Sequence, residues 1–143
     1  MRKDELLNKI ILFVQDINKK YPLELSYLFG SIAKGEDNNM SDIDIAIKFE
    51  NTYMSLNDAL IRGEIIDLGQ AIFNMQMDIV NLDRASIFLK HQVVKYGIVI
   101  MDYPDRASFE SLVFREYFDF QYYSDIYDDN IAQRLKNKTY FAG

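Results

Sequence analysis

The sequence predicts a mixed α/β protein: a small sheet of about four strands, flanking helices, and a long helix at the C-terminal end. Three observations predict it. Stretches with apolar residues at helical spacing alternate with short runs rich in Ile, Val and Leu. Pro and Gly punctuate the borders, as at Pro22, Gly35, Gly97 and Pro104. From about Asp105 onward the chain is aromatic-rich and keeps one helical period without a break.

Each element follows in order. Lys3 to Lys20 is a helix, with Leu6, Leu7, Ile10, Val14 and Ile17 in register and Ile11 and Phe13 widening the stripe; Tyr21-Pro22 stops it. Glu24 to Phe29 is the first strand. Ser31 to Lys34 opens a short helix that Gly35 ends, and Glu36 to Ser41 is a polar loop. Asp42 to Phe49 is the second strand, with Ile43, Ile45 and Ile47 on one side and Asp42, Asp44 and Ala46 on the other. Leu56 to Phe73 is a helix whose expected apolar face holds Leu60, Ile65, Leu68 and Ile72. Met77 to Leu82 is the third strand, with Asp78, Val80 and Leu82 on one face. Ser86 to Tyr96 is a helix that Gly97 ends. Ile98 to Met101 is a fourth strand, closed by Asp102-Tyr103-Pro104, and a long helix runs from about Asp105 to Lys136. One domain is expected over 1–143, a core over 1–104 and a helical extension over 105–143.

Composition narrows the partners. Hydrophobic residues make up 49% and charged residues 27%, a soluble globular balance. There is no cysteine, so disulfides and thiolate metal sites are excluded. No apolar run approaches the roughly 20 residues that span a bilayer. The sequence starts Met-Arg-Lys-Asp-Glu, without the apolar core of a signal peptide. A cytoplasmic location and no membrane are therefore expected. The net charge of −6 argues against direct binding of long nucleic acid, which is held by Lys and Arg on phosphates.

The chemistry concentrates in residues 30–44. Gly30-Ser31 follows an apolar strand and precedes a helix, a turn where backbone N–H groups meet phosphate. Gly30 permits close backbone approach and Ser31 offers a hydroxyl; the same serine also suits a plain helix N-cap. Lys34, one turn on, is either a point charge for phosphate or a solvated surface lysine. After ten intervening residues, Ser31 is followed by Asp42-Ile43-Asp44. Two carboxylates on one strand face repel unless a cation lies between them. Asp78 sits in an otherwise apolar strand, and if that strand neighbours the second, the three acids form a cage of hard oxygens suited to Mg²⁺ or Mn²⁺. The bland alternatives are a solvated strand end for the pair and an exposed edge-strand position for Asp78. Asp67, in a helix, and Asp83, past the strand, rank lower. His91 is the only histidine and reads as a surface or packing residue, which excludes a histidine triad or a His-rich zinc site. No Gly-x-x-x-x-Gly-Lys-Ser/Thr loop occurs. A phosphate cradle facing a carboxylate pair is minimal apparatus for metal-assisted nucleotidyl transfer.

Gly30-Ser31, ten residues, Asp42-x-Asp44 and a later strand carrying Asp78 resemble the nucleotidyltransferase superfamily related to DNA polymerase β. The size, the leading helix, the segment Met77 to Met101 and Arg115-Glu116-Tyr117-Phe118-Asp119-Phe120 resemble its minimal (MNT) antitoxins, paired with HEPN toxins. The resemblance implies a polymerase β-like minimal fold and a Mg²⁺-dependent enzyme that transfers AMP from ATP to a tyrosine hydroxyl of a cognate HEPN ribonuclease and so silences it. It implies that Asp42 and Asp44 hold two metals, that Asp78 serves the metal near the acceptor, and that Gly30-Ser31 cradles the triphosphate. Two alternatives stand beside it: an antitoxin that masks its toxin without chemistry, and a nucleotidyltransferase for a small molecule such as an antibiotic.

The last helix carries two aromatic stripes. Phe109, Leu112, Val113, Tyr117, Phe120, Tyr123, Tyr127, Ile131 and Leu135 form one; Phe114, Phe118 and Tyr122 form the other. One stripe is expected to pack on the sheet and the other to meet the toxin or a second copy of the chain, against the alternative of a single broad buried face.

Overall fold

The structure is a computed structural model that describes residues 3–36, 41–50 and 57–142, with side chains to residue 136. Its elements are α1 (Lys3–Lys20), β1 (Leu23–Phe29), α2 (Gly30–Lys34), β2 (Ile43–Phe49), α3 (Asp58–Phe73), β3 (Met77–Asn81), α4 (Ile87–Tyr96), β4 (Ile98–Met101) and α5 (Arg106–Ala142). Most of the polar loop expected at 36–41 and the helix start expected at Leu56 lie outside the described residues.

The strands form one sheet in the order β3-β2-β1-β4. β1 pairs antiparallel with β2 and β4, and β2 pairs parallel with β3. The parallel pair exists because α3 carries the chain back across the sheet before β3 starts. Side chains alternate between two buried faces. Ile43, Ile45, Ile47 and Ile79 pack with Leu6, Ile10, Phe13 and Val14 of α1 and with Ile61, Ile65 and Phe73 of α3. Ala46 and Tyr27 face the other way, toward Val93 and Leu89 of α4 and Phe109 of α5. Burying the α1 stripe stabilises the fold by about 1.5–3 kcal/mol per large apolar side chain.

α3 corrects the sequence reading. Leu60, Leu68 and Ile72 are exposed, at 76%, 43% and 63%, and the buried stripe is Asp58, Ile61, Ile65, Gly69 and Phe73. Counting apolar residues misses this stripe because Gly69 lies in it. A β-carbon there would collide with the Met77 side chain and come within 3.3 Å of the Phe13 ring. Asn74 in the left-handed region, φ 53°, ends the helix. Gly97 ends α4 as expected, without a left-handed backbone. Its φ is −74°, and a β-carbon there would collide with the Val93 carbonyl and lie 3.3 Å from that of Leu28. Close backbone approach is what selects glycine at that position.

α5 is 37 residues, about 56 Å at 1.5 Å per residue. Its first turns are tied to the sheet. Tyr27 donates to Glu110 Oε1 at 2.6 Å, and Arg106 Nη1 donates to the same oxygen at 3.1 Å. Val113 is buried, Phe109, Phe114 and Tyr117 are half-buried, and His91 of α4 stacks flat on Tyr117 at 3.6 Å between ring centres. His91 is thus a packing residue. From Phe118 to Tyr127 the aromatic residues are exposed, so over the described side chains neither a full packed stripe nor a single broad buried face extends along the helix.

Candidate nucleotidyl-transfer site

One end of the sheet gathers the acids. β1 ends at Phe29 and α2 begins at the next residue, while β2 and β3 begin at this same end. Pairing places Phe29 beside Asp44 and Asp44 beside Asp78. In-register neighbours on paired strands point to one face. Asp44 and Asp78 therefore share a face, and Asp42, two residues earlier, belongs to it as well. β3 neighbours β2, the condition on which the role of Asp78 depended. It is also the outer strand, and Asp78 is exposed.

The electrostatics link the three acids. Asp44 is half-buried, and burial, then Asp78, then Asp42 push its carboxyl up to about 6. Each cause disfavours a second or third negative charge. Among the described residues, no three acidic or histidine side chains are already drawn together as a ready-made metal cage. The expected cage is therefore a row of mutually repelling carboxylates. Their hard oxygens fit Mg²⁺ or Mn²⁺ in kind, and a divalent cation relieves the repulsion.

Gly30 is fixed by two constraints. Its φ is +78°, and a β-carbon on it would overlap Asp44 Oδ2 and lie 3.1 Å from Asp44 Cγ. The backbone at the turn into α2 thus lies directly against the central carboxylate. Ser31 is not the N-cap: Phe29 occupies that position, and no side chain caps the helix. Ser31 sits within the first turn, and its carbonyl accepts from Glu36 N at 2.9 Å. Lys34 is exposed, with Nζ over the Tyr96 ring at 4.9 Å. Its ammonium is held at the α2–α4 contact rather than beside the acids. Asp83 is paired with Lys48 at 3.2 Å, and Asp67 is exposed on α3.

Beyond Asp78 lies a set of residues that sequence reasoning missed. Asp58, 5% exposed, accepts from Arg62 Nε at 2.9 Å and from Asn81 Nδ2 at 2.9 Å. Asn81 Oδ1 accepts from Asp83 N at 3.0 Å. With Asp78, Arg84 and Leu89 they line a cavity of about 310 Å³. The available signal was the Asp58/Arg62 spacing of four at a helix start. Nothing in the sequence tied that pair to Asn81.

A family model described as polymerase beta, nucleotidyltransferase matches residues 8–106, and the chain belongs to that family. Among individual relatives, the protein adenylyltransferase MntA of Shewanella oneidensis is 38% identical over 90 residues, covering 63% of this chain and 60% of that protein. The match thus spans less than two thirds of that relative's length. A chain in the crystal structure of a toxin–antitoxin with AMP-PNP superimposes with a TM-score of 0.73 at 27% identity, covering 85% of this chain and 97% of that one. A chain in the structure of the tri-AMPylated Shewanella oneidensis HEPN toxin in complex with MNT antitoxin gives 0.69 at 27% identity, covering 91% and 98%. The four-stranded mixed sheet with flanking helices is the polymerase β-like nucleotidyltransferase fold. Among the described residues, no helix is long and apolar enough to cross a membrane.

Proposed function

We propose that the chain is a protein adenylyltransferase that moves AMP from ATP onto a tyrosine hydroxyl of a cognate HEPN partner, in one or more rounds, and thereby neutralises it. The observation that carries this reading is the row Asp42, Asp44 and Asp78, raised to about 6 at its centre and backed by the Gly30 turn. Similarity to MntA and to chains of solved toxin–antitoxin structures supports it.

Each residue has a part. The backbone at Gly30, with the Ser31 hydroxyl, binds the triphosphate close to Asp44. Lys34 reaches the outer phosphates once its ammonium leaves the Tyr96 ring. Asp42 and Asp44 would hold Mg²⁺, with Asp78 contributing on the acceptor side. When bound, the metal neutralises charge on the attacking and leaving oxygens. A tyrosine hydroxyl has an ordinary pKa near 10, so it needs a base or a cation nearby at neutral pH. Asp78, exposed on the outer strand, can take that proton while pyrophosphate leaves.

A second reading, antitoxin action by binding alone, is favoured by the exposed aromatic length of α5. One experiment separates the two. Intact-mass spectrometry of the HEPN partner after incubation with this chain, ATP and Mg²⁺ should show added AMP, absent with Asp42→Asn/Asp44→Asn. Neutralisation that survives in the double variant, with no mass gain from the wild-type chain, would establish masking instead.

A further inference from the structure

Tyr96 ends α4 at the same end of the sheet as the acidic row. Ile98 opens β4 opposite Leu28, and the next residue of β1, Phe29, pairs with Asp44. In the order β3-β2-β1-β4, the Gly30 turn therefore lies between the acids and Tyr96. α2 packs against α4 here, and two ammonium groups meet one ring. Lys34 Nζ lies 4.9 Å and Lys95 Nζ 5.2 Å from the centre of Tyr96. Among the described residues, neither ammonium is paired with a carboxylate, in a chain of net charge −6. The negative face of the ring is what holds them. Two like charges at one ring also weaken each other's hold, so Lys34 leaves it at small cost. Tyr96 is 44% exposed and is not a core residue. Lys34 carries its charge on a flexible stem from the helix that the Gly30 turn opens.

We infer that Tyr96 is a positioning residue that competes with the outer phosphates for Lys34: its ring holds the ammonium when the phosphate site is empty and takes it back when pyrophosphate leaves. The inference rests on the adenylyltransferase reading, which puts Lys34 on the outer phosphates. A contact present only in the free protein lowers the affinity of whatever must break it, because binding has to replace it first. Tyr96 therefore weakens the hold on triphosphate and on pyrophosphate by the same factor. It leaves the hold on AMP alone, since AMP has no outer phosphates for Lys34 to reach. Lys95 keeps the ring occupied while Lys34 is away. The consequence for the reaction is easier departure of pyrophosphate, a step that can limit turnover in transfer enzymes.

The test is calorimetric titration of the full chain, in Mg²⁺, with α,β-methylene-ATP, with pyrophosphate and with AMP, each variant first checked for folding by thermal melting. Tyr96→Leu should bind the triphosphate and pyrophosphate about two- to fivefold more tightly, the size of one exposed cation–π contact, with AMP unchanged. Tyr96→Phe keeps the ring and should restore the wild-type affinities. In a Lys34→Met background, Tyr96→Leu should change nothing. The sign is decisive, because a ring that merely packed α4 on α2 would, once removed, loosen the phosphate turn and weaken binding. Weaker or unchanged triphosphate affinity in Tyr96→Leu would overturn the inference, as would tightening that persists without Lys34 or extends equally to AMP. A wild-type chain that binds no triphosphate would overturn the nucleotide reading and this inference with it. Binding without any AMP added to a HEPN partner would overturn the transfer reading alone.

Discussion

Gly30 and Asp44 are in such close contact that a β-carbon on the glycine would come within 2.2 Å of the Oδ2 atom of the aspartate. Gly30 opens α2 directly after β1 and Asp44 lies on β2, and the pairing of Phe29 with Asp44 brings them together. Gly30→Ala should therefore fail twice, through a left-handed φ of +78° and through displacement of the central carboxylate. A loss of about 1–3 kcal/mol in unfolding free energy is expected from the strain. Nucleotidyl transfer should fall further than stability does, which denaturant unfolding and a transfer assay read side by side.

Asp44 links pH to stability through a carboxyl held near 6 by burial, Asp78 and Asp42. A raised carboxyl stabilises the fold below its ordinary value, and that contribution is lost as pH rises through about 6. The ionised form at pH 7 is thus a cost. Asp44→Asn should raise the stability of the metal-free protein at pH 7 by about 1 kcal/mol or less, since solvent screens a half-exposed group. The gain should shrink toward pH 4. Mg²⁺ or Mn²⁺ should raise the melting temperature of the wild-type chain and not of Asp42→Asn/Asp44→Asn.

Asp58 is a buried carboxylate with two donors committed to it. Asp58→Ala strands Arg62 and Asn81 beside a new void. The expected loss is about 3 kcal/mol, in the range for breaking one side of a buried pair. Asp58→Asn should cost less, because one acceptor oxygen remains. Urea unfolding of the two variants orders them.

His91 is buried against Tyr117 and Phe114, and its Nδ1 has no hydrogen-bond partner among the described residues. Burial first, and Lys95 second, lower its pKa from the usual 6.5. The stability that this neutral ring contributes is present above 6.5 and is lost as pH falls through the lowered value. Melting temperatures recorded from pH 8 to pH 5 should fall more steeply for the wild-type chain than for His91→Phe.

Phe118 is 58% exposed on α5. Phe118→Asp should change stability by no more than about 0.5 kcal/mol, as expected for an exposed position. If the distal helix is an interface, the same variant weakens assembly with the HEPN partner or with a second copy. Light scattering of the mixed and separate proteins shows which contact, if either, depends on it.

The local elements were legible because their causes are local. The α1 stripe, the β4 run from Ile98 to Met101 and the helix from Ser86 to Tyr96 each follow from residues within a few positions of one another. Gly30-Ser31 and Asp42-x-Asp44 were legible for the same reason: turn chemistry and strand alternation are short-range rules. The buried face of α3 was not, because Gly69 is selected by Met77 and Phe13 across the packing and has no apolar side chain to count.

The sequence by itself determined the order of helices and strands, the turn at Gly30 and the shared face of Asp42 and Asp44. Only the tertiary structure decided that β3 lies beside β2 with Asp78 level with Asp44, that Asp58 meets Asn81 to wall a cavity, and that α5 leaves the sheet behind after its first turns. The division has one physical reason. Backbone geometry and period act over a few residues, whereas strand neighbours and buried polar partners are chosen by the packing of the whole chain.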